Sequence, residues 1–380
     1  MDSVLASPTD IYAGLAEADW TFSTRLCQHA VEAVHPYPAK FISDIPSALI
    51  RALPVPDGTT VFDPFCGSGS TLVEAQRAGL SSVGIDLNPI ACLISRVKTS
   101  PYPQGFADAG ARVAERARGM TSPTVPSLPN LDHWFGVAVQ IALAALVQAI
   151  DAEVSDTNVD ALRLALSRIV VRVSRQESDT RYAAIEKRIS SDDVFAAYQA
   201  AVVDIDRALL ARDWALQPCH IVEADILAAT RGDIGLEPVG LVVTSPPYPN
   251  AYEYWLYHKY RMWWLGFDPI AVKTKEIGAR AHFFGASRHT AETFEQQMAV
   301  TFALIDEALV PGGHACFVVG RSKIHGQIVD NANTLRKLAA SLRYAEVLDV
   351  ERPLNSRRKS FNLSHANIRT EFVLAFRKPR

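Results

Sequence analysis

Apolar and polar positions along the chain follow two different periods, and the changes of period mark its elements. Positions 44–53 carry apolar residues at helical spacing, a turn with proline and glycine at 54–58 follows, and 59–63 is a short apolar run. Positions 70–78 return to helical spacing and 82–86 to an apolar run. Helix between two strands predicts a β-α-β unit, the opening of a parallel sheet. From 105 to 216 the texture changes to alanine-rich helical stretches, among them 137–150, 161–173 and 192–211, which predict a helical insert. Short apolar runs bounded by turn signals resume at 220–223, 240–244 and 314–319. A last pair, 345–350 and 369–377, predicts a closing antiparallel hairpin. The expected fold is α/β: a doubly wound, mostly parallel sheet from residues 1–104 and 217–380, interrupted by the insert 105–216. Residues 1–34 hold Tyr12, Trp20 and Phe22 without clear periodicity and are expected to form an arm packed on the sheet domain.

Composition narrows the class. The 380 residues are 48% hydrophobic and 21% charged, a globular mix with enough apolar side chains for a large core. Cys27, Cys66, Cys92, Cys219 and Cys316 form no C-x-x-C pair, so neither a zinc site nor a disulfide framework is expected, and a cytoplasmic setting fits best. No apolar stretch approaches the ~20 residues that span a bilayer, so no membrane partner is expected. The formal charge of −3 and pI near 6.4 do not advertise a nucleic-acid binder. Cations nevertheless cluster at Arg321 and Lys323, at Arg352, Arg357, Arg358 and Lys359, and at Arg377, Lys378 and Arg380.

Three segments carry chemistry. In VFDPFCGSGST a strand ends at Asp63-Pro64 and a glycine turn opens a helix. Gly67 and Gly69 allow positive φ and close backbone approach, while Ser68, Ser70 and Thr71 place amides and hydroxyls at a helix N-terminus suited to a carboxylate. The lysine of a phosphate-cradling loop is missing, which disfavours nucleoside triphosphates. In VGIDLNP, Asp86 lies 19 residues after Gly67, where the end of a second strand presents an acidic side chain to ribose hydroxyls; capping of the next helix is the competing structural role. In VVTSPPYPN a strand runs into Ser245, Pro246, Pro247 and Tyr248. Two prolines hold the backbone rigid, so a carbonyl of Ser245 or Pro246 can be aimed at a fixed point. An exocyclic base amine is a poor nucleophile because its lone pair is delocalised. Acceptors that hold its N–H groups favour a pyramidal nitrogen, and Tyr248 offers a stacking face for a base taken out of the helix. An ordinary proline turn is the alternative.

Together the segments resemble the S-adenosylmethionine-dependent amino-methyltransferases that modify cytosine N4 or adenine N6 in DNA, over roughly 35–100 and 220–320. The family's FxGxG motif is matched by Phe65, Gly67 and Gly69, and its (Ser/Asn/Asp)-Pro-Pro-(Tyr/Phe) motif by Ser245 to Tyr248. The resemblance implies a Rossmann-like class I methyltransferase fold, S-adenosylmethionine as cofactor and DNA as partner. It places Tyr37, Pro38, Lys40 and Phe41 of the HPYPAKF segment near the methionine moiety. Asp63, Asp86 and Asn88 join the cofactor set, and Asp225 and Ile226 occupy the position that holds the adenine ring. Serine at the head of the tetrad favours cytosine N4 over adenine N6. Cytosine C5 chemistry is disfavoured, since the only Pro-Cys dipeptide, Pro218-Cys219, precedes a different strand. An RNA guanine-N2 methyltransferase and a catalytically silent DNA-binding subunit are the competing readings. A cognate restriction endonuclease is a partner that the resemblance allows, with a monomer or a dimer.

The recognition surface is left open between the insert, the 273–289 loop with Arg280, His282, Arg288 and His289, and the 352–367 stretch. Seven aromatics in 252–264 are expected to be core for the most part, with Tyr252 or Tyr254 facing the site. Ser174, Arg175, Gln176, Asp179, Thr180, Arg181 and Tyr182 form a polar patch read as a functional loop without an assigned mechanism.

Overall fold

The strands of the main sheet form where the apolar runs lie, and four short ones, at 176–178, 181–184, 322–324 and 327–329, form outside them. In the computed structural model, which describes residues 8–23, 29–153, 156–179, 181–250, 252–284, 288–354 and 370–380, they are β1 (Thr60–Asp63), β2 (Ser82–Asp86), β3 (Gln176–Ser178), β4 (Arg181–Ala184), β5 (Cys219–Glu223), β6 (Val239–Thr244), β7 (Leu309–Gly320), β8 (Ser322–Ile324), β9 (Gln327–Val329), β10 (Ala345–Pro353) and β11 (Thr370–Arg377). The helices are α1 (Pro8–Glu17), α2 (Asp44–Ala52), α3 (Ser70–Arg77), α4 (Pro89–Thr99), α5 (Phe106–Arg118), α6 (Leu131–Trp134), α7 (Val137–Asp151), α8 (Asp156–Val173), α9 (Ser191–Leu210), α10 (Tyr254–Trp264), α11 (Pro269–Lys275), α12 (Ala291–Ala308) and α13 (Asn331–Ser341).

Seven strands make one sheet in the order β10-β11-β7-β6-β1-β2-β5. Strands β7, β6, β1, β2 and β5 pair in parallel, and β11 lies antiparallel to both β7 and β10. This is the expected doubly wound, mostly parallel sheet with an antiparallel C-terminal pair. Strand alternation gives it two apolar faces. Phe62, Val242, Phe317 and Leu374 point toward α12 and α13, where they meet Phe302, Ile305 and Leu335. Their neighbours Val61, Val243, Val318 and Val373 point the other way, toward Leu15 of α1 and Ile45 and Leu49 of α2. Strand β7 starts five residues before the expected run. Pro311-Gly312-Gly313, which reads as a turn, is carried into the sheet because Lys378 N donates to the Gly313 carbonyl at 2.9 Å and Gly312 N to the Lys378 carbonyl at 3.2 Å.

The arm, in which no clear periodicity marked an element, contains α1. The Tyr12 hydroxyl sits 2.8 Å from His314 Nε2 on β7, and Trp20 Nε1 donates to the Leu15 carbonyl at 2.8 Å. Between β2 and β5, the helices α5, α7, α8 and α9 bury Val113, Leu146, Leu166 and Tyr198 in one cluster with Ile90 and Ile94 of α4 and Trp255 and Trp264 of α10. The inserted segment therefore packs directly on the helices that follow β2 and the tetrad.

Its polar patch explains how. The hairpin β3–β4 brings Asp179 to Arg261 of α10, a guanidinium only 1% exposed that also donates to the carbonyls of Ser167 and Tyr257. The Tyr182 hydroxyl pairs with that of Tyr260 at 2.5 Å. The patch read as a functional loop is thus a polar tie between insert and α10; Thr180 lies outside the described residues. Asp179→Ala leaves the Arg261 charge buried without its carboxylate and is expected to cost about 2 kcal/mol, read as a lowered urea midpoint.

Candidate active site

The carboxyl ends of β1, β2, β5 and β6 border a cavity of about 390 Å³. At the end of β1 the chain turns through Gly67 (φ +50°) and Gly69 (φ +78°) into α3. The second glycine is required twice over, since a Cβ there would sit 2.7 Å from Ser95 Oγ. Helix α4 braces the turn from below: Ser95 Oγ donates to the Gly67 carbonyl at 2.9 Å, and the buried Lys98 Nζ to the Ser68 carbonyl at 2.7 Å. Asp63 does not project freely. Its Oδ1 accepts from Phe65 N at 3.1 Å and Thr244 Oγ1 at 2.6 Å, locking the ends of β1 and β6 together, and burial pushes its carboxyl up to about 6.

Asp86 ends β2 with one oxygen accepting from Gly67 N at 2.8 Å and the other from Asn88 N at 2.8 Å. Burial raises its carboxyl to about 6, against the lowering effect of those two amides. Asn88 caps α4 through its Oδ1, while its buried Nδ2 finds no partner among the described residues. An acidic acceptor beside an unsatisfied buried amide donor is a fitting pair for a polyhydroxylated ligand such as a ribose.

The tetrad leaves β6 on the opposite wall. Ser245 Oγ donates to the Val318 carbonyl of β7 at 3.1 Å, and the Tyr248 hydroxyl donates to Glu371 Oε1 of β11 at 3.0 Å. Gly278 (φ +75°) lies against this backbone, where a Cβ would come within 3.0 Å of the Tyr248 carbonyl oxygen. Asn250 N donates to the Gly278 carbonyl at 2.9 Å.

An aromatic wall joins the two halves. Tyr37 stacks on Tyr254 (centroids 5.8 Å apart) and on His258 (5.1 Å), and Tyr252 packs on Tyr254 at 5.4 Å. Glu276, at the end of α11, accepts from Tyr254 N at 2.8 Å and Trp255 N at 2.7 Å and so caps the aromatic helix α10. Burial pushes its carboxyl up to about 8.

Of the residues singled out in the sequence, Tyr37, Lys40, Phe41, Asp63, Phe65, Gly67, Ser68, Ser70, Asp86, Asn88, Asp225, Ile226 and the whole tetrad line this cavity, as do both Tyr252 and Tyr254. Pro38, Gly69 and Thr71 are not among its lining. The Thr71 hydroxyl is turned away from the helix N-terminus and donates to the Val243 carbonyl at 3.2 Å, and Ser70 Oγ is engaged by the Phe41 carbonyl at 2.9 Å. Sequence reasoning missed Glu276 and Glu371, which also line the cavity, and it placed Arg352 on a recognition surface. Arg352 is instead 2% exposed and bound to Glu371 and to the Trp20 carbonyl; Cys27, Arg357, Arg358, Lys359 and the rest of the 355–369 stretch lie outside the described residues. Of the 273–289 segment, Lys275, Glu276 and Ile277 line the cavity; outside the lining, Lys273 lies 4.9 Å from the Trp255 ring centroid, Arg280 lies over Phe284, and the His282 and His289 rings are 4.8 Å apart.

Among the described residues no helix is long and apolar enough to cross a membrane, and no group of three or more His, Cys, Asp or Glu side chains is placed to hold a metal ion.

Comparison with known proteins points one way. The chain matches the DNA methylase family over residues 9–96. It is 42% identical over 73 residues to the type II methyltransferase M.MjaII of Methanocaldococcus jannaschii, covering 19% of this chain and 13% of that one. It is 29% identical over 157 residues to M.MvaI of Kocuria varians, covering 38% and 35%. Against M.BsoBI of Geobacillus stearothermophilus the identity is 20% over 304 residues, covering 69% and 59%. These matches support the DNA amino-methyltransferase family for this chain. The aligned stretches span less than two thirds of each of these relatives.

Proposed function

We propose that this protein transfers a methyl group from S-adenosylmethionine to the exocyclic amine of a base in DNA, with cytosine N4 preferred to adenine N6. The observation that carries the reading is that the glycine turn with Asp86 and the Ser-Pro-Pro-Tyr tetrad, 159 positions apart at Asp86 and Ser245, open into one cavity between adjacent strand ends. The type II DNA methyltransferases with which the chain aligns support DNA as the substrate.

Asp86 and Asn88 would hold the ribose of the cofactor, the turn around Ser68 its carboxylate end, and Asp225 and Ile226 its adenine ring. When bound, S-adenosylmethionine supplies an electrophilic methyl group on a positively charged sulfur. The work of the chain lies in what surrounds the amine. Ser245 donates its hydroxyl hydrogen bond to the Val318 carbonyl, so the oxygen keeps its lone pairs for an amine N–H. The carbonyl of Ser245 or Pro246, held by the two prolines, takes the other N–H. Two acceptors favour a pyramidal nitrogen with its lone pair available for the methyl group, and the surplus proton leaves to solvent afterwards. Tyr248 stacks on the base, which must leave the helix to enter a cavity this enclosed. The cations of the 259–289 segment, Lys259, Lys273, Lys275 and Arg280 among them, would contact backbone phosphates, a role open to a chain of net charge −3 when its cations are local.

Serine at the tetrad head is what favours cytosine. Nucleosides from the DNA of a methylation-free host expressing the chain should contain N4-methylcytosine by mass spectrometry, and those from a Tyr248→Ala control should not. N6-methyladenine instead would overturn the base, methylation confined to RNA would overturn the substrate, and no methylation anywhere would leave a silent DNA-binding subunit.

A further inference from the structure

Tyr248 is held from behind by residues that no tetrad motif contains. Its hydroxyl donates to Glu371 Oε1 at 3.0 Å, Glu371 Oε2 accepts from an Arg352 guanidinium nitrogen at 3.1 Å, and Arg352 Nε donates to the Trp20 carbonyl at 2.9 Å. Arg352 and Glu371 are direct partners in the antiparallel register of β10 and β11, with side chains 2% and 16% exposed. An ion pair so placed is a weak source of stability, because desolvating both charges offsets most of their attraction. Its position suggests another use. Ser245 Oγ and the Tyr248 hydroxyl converge on the same acceptor, the Val318 carbonyl, at 3.1 and 3.5 Å. If Glu371 did not take the Tyr248 proton, the two hydroxyls would compete for that carbonyl. Ser245 would then be free to turn its own proton toward the amine it has to accept from.

We propose that Glu371, paired with Arg352, is a positioning residue for the transfer reaction, fixing the Tyr248 ring and reserving the Val318 carbonyl for Ser245. The inference rests on the reading of the tetrad given above. It assigns the C-terminal strand pair a part in the reaction that its place at the sheet edge does not announce.

The test uses the full chain, labelled S-adenosylmethionine and DNA from an unmodified host, with the variants Glu371→Gln, Tyr248→Phe and both together. Tyr248→Phe breaks the Glu371 contact from the other side and also removes the hydroxyl that would compete for the Val318 carbonyl, so it reads the hold on the ring alone; the Arg352–Glu371 pair stays in place, and a folding failure of Glu371→Gln does not leave the question open. Expected are a fall in kcat of about tenfold for each single variant, KM for DNA and affinity for S-adenosylhomocysteine within about twofold, and a double variant no slower than the slower single one. A packing role would leave kcat alone or let the two losses multiply. Wild-type kcat in either single variant, or multiplied losses in the double, would overturn the inference alone. A wild-type chain that puts no label into DNA would remove the proposed function and the inference with it.

Discussion

Ser245→Ala is expected to slow methyl transfer by about 10²- to 10³-fold while leaving cofactor affinity within about a factor of two. The expectation follows from where the hydroxyl proton goes. With its hydrogen bond donated to the Val318 carbonyl, Ser245 Oγ keeps its lone pairs to accept from a group in the cavity, and alanine removes it without disturbing the prolines that aim the backbone carbonyl. Little structural loss should accompany it, because the Val318 carbonyl borders the cavity, where water can take over as donor. The glycine turn and Asp86 sit on the opposite wall and are untouched, so titration with S-adenosylhomocysteine should give nearly the wild-type curve. The measurement is a single-turnover rate with enzyme in excess, which isolates the chemical step from product release. A rate within about threefold of wild type would mean that backbone carbonyls alone hold the amine and that serine is there only as a small residue.

What could be read from the sequence divides along a physical line. The sheet strands, the glycine turn, Asp86 and the tetrad were legible because each is specified by neighbours in the chain: a short apolar run for β2, positive φ at Gly67 and Gly69, two consecutive prolines after Ser245. The residues that were not legible act across long separations. Glu371 meets Tyr248 over 123 positions, and in TEFVLAFR it is one charge at the start of an apolar run, indistinguishable from a strand-edge glutamate. Arg352 heads a stretch with four cations between 352 and 359 (Arg352, Arg357, Arg358, Lys359), and nothing local says that it turns inward to Trp20. Glu276 is hidden for a different reason: it ends a short helix and caps the aromatic one before it, and its function as a cap is set by a fold-back of 21 to 22 residues. The insert shows the same limit. Its helices were plain from their periodicity, but that they would close over α4 and α10, and tie to α10 through Asp179 and Arg261, depends on tertiary packing alone.

Removing the Asp86 carboxylate should weaken cofactor binding by about 10- to 150-fold, the loss of one charge-assisted hydrogen-bonded contact of roughly 1.5–3 kcal/mol. Asp86→Ala also frees the amides of Gly67 and Asn88, which the carboxylate now holds, so the turn loses one of its braces and retains those from Ser95 and Lys98. The same carboxylate predicts a pH dependence in the intact protein. Burial raises it to about 6, so in the free protein it is ionised above that pH and protonated below. Ribose hydroxyls donate to the ionised form, which makes affinity level above about pH 6 and progressively weaker as the pH falls through that value, by up to about tenfold for each unit. Glu276, pushed up to about 8 by burial in the same cavity, stays protonated on the acid side of this range, ionises only toward its alkaline end, and does not reverse the sign of the acid limb. Calorimetric titration of S-adenosylhomocysteine from about pH 5 to about pH 8 should therefore show weakening on the acid side for the wild type and a flatter profile for Asp86→Ala. Parallel profiles in the two proteins would show that another group controls the acid limb, and equal affinities at neutral pH would place the ribose elsewhere in the cavity.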